Sequence, residues 1–138
     1  VWALVKRSDT LLFVSRGVLG FSGALRLPEQ WQQGATESVR LRFFGIIPGW
    51  MHTLTFVEIC DSQRCLVTQE GGGLVAVWNH RIQVSTGLQQ TCIYTDDVEV
   101  RAGLFTLPVW LFAQFFYRYR QRRWRILVRR FQTGSTCP

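Results

Sequence analysis

A histidine, an aspartate and an arginine define the chemistry that this chain of 138 residues can host. His80 lies in a strand-like segment, Leu74 to Ser85, whose even positions Ala76, Trp78, His80, Ile82 and Val84 read as the buried face. Asn79, Arg81 and Gln83 between them suit water. Asp96 sits in the same way among Cys92, Tyr94, Val98 and Val100, within Gln89 to Ala102. A three-residue connection, Thr86 to Leu88, pairs Ser85 with Gln89, His80 with Tyr94 and Trp78 with Asp96. His80 and Asp96 are then diagonal neighbours on one face, roughly 7–8 Å apart at Cα. An ionised carboxylate in an apolar interior needs a donor or a cation, and Arg120, on the inward face of a later helix, is the natural third member. Two readings stay open. The trio is the polar floor of a cavity, or a satisfied network that pins helix to sheet. In a catalyst, His80 would be the acid–base group and Asp96 its orienting partner.

The other reactive side chains carry less. His52 and Glu58 share a strand face but lie roughly 20 Å apart, so they form no acid–base pair, and His52 is expected to be exposed at a strand start. No Cys–His grouping has zinc-site spacing, so no metal is expected. Gly71 to Gly73 stand between strands rather than between a strand and a helix, which makes them a hairpin turn and not a phosphate loop. No serine has the surroundings of a hydrolase elbow. Cys60 and Cys65 flank a turn where they would face each other, and all four cysteines are read as reduced.

These residues need elements to hold them. Val1 to Arg7 is expected to be a short helix with Trp2 and Val5 on one side. Leu11 to Ser15 reads as a strand that resumes near Val18, followed by glycine-interrupted chain and a loop at Leu27 to Trp31. Thr36 to Phe44 alternates Val39, Leu41 and Phe43 against Ser38, Arg40 and Arg42, the mark of a half-buried strand. Gly45 to Gly49 is a turn holding Pro48. His52 to Cys60 and Arg64 to Glu70 form a hairpin around Asp61. Six antiparallel strands then give way to one long helix, Pro108 to Phe131, about 35 Å in length. Its inner face carries Val109, Ala113, Phe116, Tyr117, Arg120, Trp124, Leu127 and Phe131; its outer face carries Arg118, Arg122, Arg125 and Arg129. The fold class is α+β, with the helix packed on one side of the sheet.

Length and composition fit one domain, here residues 1–131, with a tail at 132–138. The apolar fraction is an ordinary 47% and the net charge is +7. Fifteen of the sixteen basic residues are arginine, and seven of those fall between Arg118 and Arg130. Aromatics interleave with them from Tyr117 to Arg125, a pattern of anionic-lipid and nucleic-acid binders. Its aromatics belong mostly to the inner face, which argues against nucleic acid more than against a lipid surface. The most apolar window, Leu104 to Tyr117, contains Pro108 and is too short to span a bilayer. No secretory signal opens the sequence, and a cytoplasmic location is the expectation.

Taken in order, Val1-Trp-Ala-Leu4, Trp78-Asn-His80, Tyr94-Thr-Asp-Asp-Val-Glu-Val100 and Phe116-Tyr-Arg-Tyr-Arg120 resemble the helix-grip superfamily of START-like, pollen-allergen and polyketide-cyclase proteins, SRPBCC, and within it bacterial members of uncertain function. The resemblance covers residues 1 to 131. It implies a curved sheet of about six strands around the C-terminal helix, enclosing an apolar cavity for lipid- or polyketide-like molecules. It also implies a strand before the first helix, which these residues do not include; either the chain is part of a longer polypeptide or the sheet carries an extra open edge.

The expectation is therefore a binding protein for an apolar or amphipathic small molecule, without cofactor. Trp78, His80, Tyr94, Asp96, Phe116, Tyr117, Arg120 and Trp124 are its expected cavity residues. The alternatives are a cyclase- or hydratase-like enzyme working through His80 and Asp96, and a membrane-surface or nucleic-acid module working through Arg118, Arg122, Arg125 and Arg129.

Overall fold

The computed structural model describes residues 1–23 and 26–131; the expected tail at 132–138 lies outside them. Two short helices open the chain, α1 (Trp2–Val5) and α2 (Ser8–Ser15). Six strands follow: β1 (Leu19–Ser22), β2 (Thr36–Phe43), β3 (Ile47–Cys60), β4 (Cys65–Gly72), β5 (Val75–Thr86) and β6 (Cys92–Arg101). The long helix α3 (Thr106–Phe131) ends the described chain. The strands form one antiparallel sheet in the order β1-β2-β3-β4-β5-β6, with β1 and β6 at its edges. Register shifts between Arg40 and Arg42, between Phe56 and Glu58, and between Glu70 and Gly72 mark bulges, which bend and twist strands. The curved sheet wraps around α3 in the α+β, helix-grip architecture. No helix among the described residues is long and apolar enough to cross a membrane.

The helix α3 begins where local chemistry permits. The Thr106 hydroxyl accepts a hydrogen bond from the Ala102 N–H at 2.9 Å and donates one to the Gly103 carbonyl at 2.8 Å. Pro108 falls in the first turn, where a missing N–H costs nothing. Ala113, Phe116, Tyr117, Arg120, Trp124 and Leu127 are buried, and Arg118, Arg122, Arg125 and Arg129 are exposed. Phe131 departs from the expected inner face; it is 59% exposed, and Val128 takes the last inward contact with the core.

Leu11 to Ser15 is helix rather than strand. A short apolar run fits either state by pattern alone, and the polar start Ser8-Asp9 decides it, with Asp9 at the positive end of the helix. Helix α2 lies against α3. Arg123 donates to the Phe13 carbonyl at 3.1 Å and sits 4.2 Å from the Phe13 ring, while the Tyr119 hydroxyl donates to the Arg16 carbonyl at 2.5 Å.

Three local expectations also change. Strand β3 starts at Ile47, so Pro48 lies within it, opposite Arg42, and the turn is Phe44 to Ile46. At the start of β5 the buried residue is Val75 and Ala76 is exposed, because a bulge in β5 between Val75 and Trp78 inverts the face there. Cys60 and Cys65 are paired positions across their hairpin and both are free thiols, whereas Cys92 is disulfide-bonded. That corrects the reading of all four cysteines as reduced.

Candidate functional site

The concave face of the sheet carries a polar band inside an otherwise apolar interior. It starts on β3, crosses β4, β5 and β6, and ends on α3. On β5 and β6 the expected register shifts by four residues: His80 faces Val98, Ile82 faces Asp96, and Val84 faces Tyr94. The connection is longer than expected, with a 3-10 turn at Leu88–Gln90 closed by a hydrogen bond from the Gly87 N–H to the Thr91 carbonyl. A shift of an even number of residues keeps every side chain on its face. His80 and Asp96 therefore remain diagonal neighbours, on the opposite diagonal, and His80 Nε2 lies 2.8 Å from Asp96 Oδ1.

Asp96 is the hub. Its Oδ1 also accepts a hydrogen bond from the Tyr94 hydroxyl at 2.8 Å, and Arg120 Nη2 donates to that hydroxyl at 3.4 Å. Arg120 thus reaches Asp96 through Tyr94, not by direct contact. Burial works against the Asp96 charge, but the Arg120 charge and the hydrogen bonds from His80 and Tyr94 outweigh it and hold the carboxyl below its ordinary value. Burial pushes the Tyr94 phenol well above its usual range, so it stays a donor. Burial likewise opposes the Arg120 charge, yet the groups around it, Tyr94 and Asp96 foremost, hold the guanidinium firmly protonated. With Asp96 ionised and able only to accept, His80 Nε2 is the donor in their hydrogen bond.

A second pair lies on the same face. His52 is buried, against the expectation of an exposed strand-start residue, and its Nε2 is 3.2 Å from Glu70 Oε2. The other Glu70 oxygen accepts from the Thr68 hydroxyl at 2.5 Å. Sequence reasoning missed His52, Thr68 and Glu70 as site residues. The bulge at Phe56/Glu58 hid them: without it, pairing from Cys60–Cys65 inward sets Phe56 opposite Gln69, whereas Phe56 in fact faces Thr68.

Between this band and α3 lies a cavity of about 340 Å3. Its walls are mainly aliphatic and aromatic, among them Val14, Leu41, Trp50, Leu54, Phe56 and Phe112. His52, Thr68, Glu70, His80 and Arg120 supply the polar wall. Of the expected cavity residues, Trp78, His80, Phe116, Tyr117, Arg120 and Trp124 line it, whereas Tyr94 and Asp96 do not. They stand behind the wall and orient it. Ala113, an inner-face residue, packs with Val18, Phe116 and Tyr117 and does not line the cavity. The Trp78 indole N–H donates to the Tyr117 hydroxyl at 3.1 Å, and Arg120 lies 5.1 Å from the Tyr117 ring. Arg118, Arg122, Arg125 and Arg129 lie outside this site, on the opposite face of α3. The described residues hold no cluster of ligating side chains suited to a metal ion.

Arg120 is only 4% exposed and makes a single hydrogen bond within the described chain, although a guanidinium carries five donors. Nε of Arg120, Nδ1 of His52 and the indole nitrogens of Trp50 and Trp124 are buried without a partner, and all four side chains line the cavity. Such groups favour a bound molecule that presents hydrogen-bonding oxygen to them.

Asp96 makes stability pH-dependent in a defined direction. Its lowered value stabilises the folded state above the ordinary carboxylate range, and that contribution is lost as pH falls through the lowered value. Urea unfolding across acidic pH should show a shallower acid limb in Asp96→Asn than in the wild type. Parallel limbs would show that Asp96 is not held ionised by its neighbours.

Comparison with protein-family models, with curated proteins and with solved structures finds no match to this chain.

Proposed function

We propose that the protein binds one apolar or amphipathic small molecule, lipid- or polyketide-like, between the concave face of the sheet and α3. The observation that carries this reading is the cavity of about 340 Å3 with apolar walls and a single polar side. Small-molecule sites have this character: mostly apolar lining with few, placed polar groups. The apolar body of the ligand lies among the aromatic side chains and its oxygen-bearing end meets Arg120. Kinship with the SRPBCC superfamily belongs to the same proposal, supported by the order of elements and the helix-grip architecture.

The test is a fluorescent apolar probe titrated into purified protein, together with native mass spectrometry for a co-purified molecule. Saturable binding near one probe per chain is the expected result. No saturable binding and no co-purified mass would defeat the reading.

A second reading has its own observation, the contact between His80 and Asp96, whose side chains are 6% and 2% exposed. A carboxylate that fixes an imidazole at a cavity wall is the arrangement of a general acid–base catalyst. The molecules recovered from wild type and from His80→Gln discriminate the two. A precursor in the variant and its product in the wild type mean catalysis; the same molecule in both means binding alone.

A further inference from the structure

We propose that the protein docks on an anionic lipid surface through the solvent face of α3, with the cavity mouth turned toward the bilayer. The outward stripe of α3 is continuous and changes character along its length. Leu107, Leu111 and Phe115 are exposed in the first half, and Arg118, Arg122, Arg125 and Arg129 continue the same stripe in the second. No charged residue occurs from Ala102 to Tyr117, and no acidic one from Ala102 to Phe131.

Other apolar side chains stand exposed around the same end of the fold. Leu104 is 98% exposed just before α3, and Ile46, in the β2–β3 turn, is 80% exposed. Phe105 and Leu74, both exposed, also line the cavity and so mark its mouth. Phe43, beside that turn, meets Phe112 of α3 with ring centroids 5.7 Å apart, which places the turn and the helix start together.

Grouped exposure of this kind marks an interaction surface. A second protein chain could cover the apolar half but would leave the acid-free run of arginines without a role. It would also close the mouth through which an apolar molecule enters. A bilayer accounts for both halves: Leu107, Leu111 and Phe115 enter the headgroup–acyl boundary, and the arginines lie on lipid phosphates. The Arg stripe by itself, the expectation from sequence, is only half of this surface. The docking surface itself stands on exposed residues, while the orientation of the cavity mouth toward the bilayer rests on the proposed ligand-binding function.

The test is co-sedimentation of the purified protein with vesicles of phosphatidylcholine, or of equimolar phosphatidylcholine and phosphatidylglycerol, over a range of salt. The wild type should bind the anionic vesicles. Leu107→Ser with Leu111→Ser should weaken that binding about tenfold or more and make the remainder salt-labile. Changing Arg118, Arg122, Arg125 and Arg129 to Gln should weaken it by roughly six-hundredfold, at about fivefold per arginine, and remove the preference for anionic lipid. All the substituted side chains are exposed, so circular dichroism should report unchanged folding in both variants. Failure of the wild type to bind either vesicle at low salt would overturn the proposal. So would stronger capture by an oligonucleotide than by vesicles, or a dimer seen by light scattering that the leucine changes dissolve while vesicles are ignored.

Discussion

Arg120→Met should destabilise the protein by about 3 kcal/mol or more, the cost of breaking a buried charge pair by removing one partner. The guanidinium is buried, lies over the Phe116 and Tyr117 rings at 5.9 and 5.1 Å, and stabilises the Asp96 carboxylate from beyond the Tyr94 hydroxyl. Without it, Asp96 keeps only the hydrogen bonds from His80 and Tyr94. Asp96→Leu alone should be costly for the converse reason, since Arg120 then faces a wall that has lost its nearest full negative charge. The double variant should recover much of the combined loss, because an apolar pair strands no charge. Chemical denaturation of the four proteins gives the coupling, expected at about 1 kcal/mol or more. In a Tyr94→Phe background the coupling should shrink to the direct attraction between the charges, since the hydroxyl is the hydrogen-bonded link between the two side chains among the described residues. Strict additivity of the single changes would mean that the charges do not sense each other and that the polar wall is not one unit.

The parts of this site that were legible in the sequence are those that depend on periodicity over many residues. A 26-residue helix repeats its pattern often enough that Arg120 could be placed inward and Arg118, Arg122, Arg125 and Arg129 outward without any tertiary information. The nearness of His80 and Asp96 was legible for a related reason. Both lie on even positions, and an error of four residues in the register preserves that parity. An odd offset would have separated them.

What could not be read depended on single residues inserted or on tertiary choice. One bulge in β3 was enough to hide that His52, Thr68 and Glu70 share the site face, and the loop length at Gly87 decided which diagonal His80 uses. Leu11 to Ser15 carries too few residues for its period to separate helix from strand, and only the preceding Ser8-Asp9, at the helix start, separates them. Exposure of Leu104, just before the helix, was equally invisible, and the period that turns Leu107 and Leu111 outward did not say what they meet. An apolar run looks the same in sequence whether it faces a core, a ligand or a lipid surface.

Val109→Trp should weaken binding of an apolar probe by more than tenfold while leaving the fold intact. Val109 is half-buried, lines the cavity, and sits one turn before Ala113 beside Pro108 and Phe112 near the mouth. An indole there has open space to enter, so it should occupy volume that the probe needs and cost at most about 1 kcal/mol of stability. Ala113→Trp is the contrasting variant. Ala113 is 3% exposed, packs against Val18, Phe116 and Tyr117 and does not line the cavity, so the same indole must push packed side chains aside and should destabilise the protein by about 1–3 kcal/mol. Titrating the probe into both proteins, with thermal unfolding measured in parallel, separates filling of the cavity from general damage. Unchanged probe affinity in a folded Val109→Trp protein would place the probe outside the cavity. In that event the polar band would be left as a network that fastens α3 to the sheet, with Arg120 serving the fold and not a ligand.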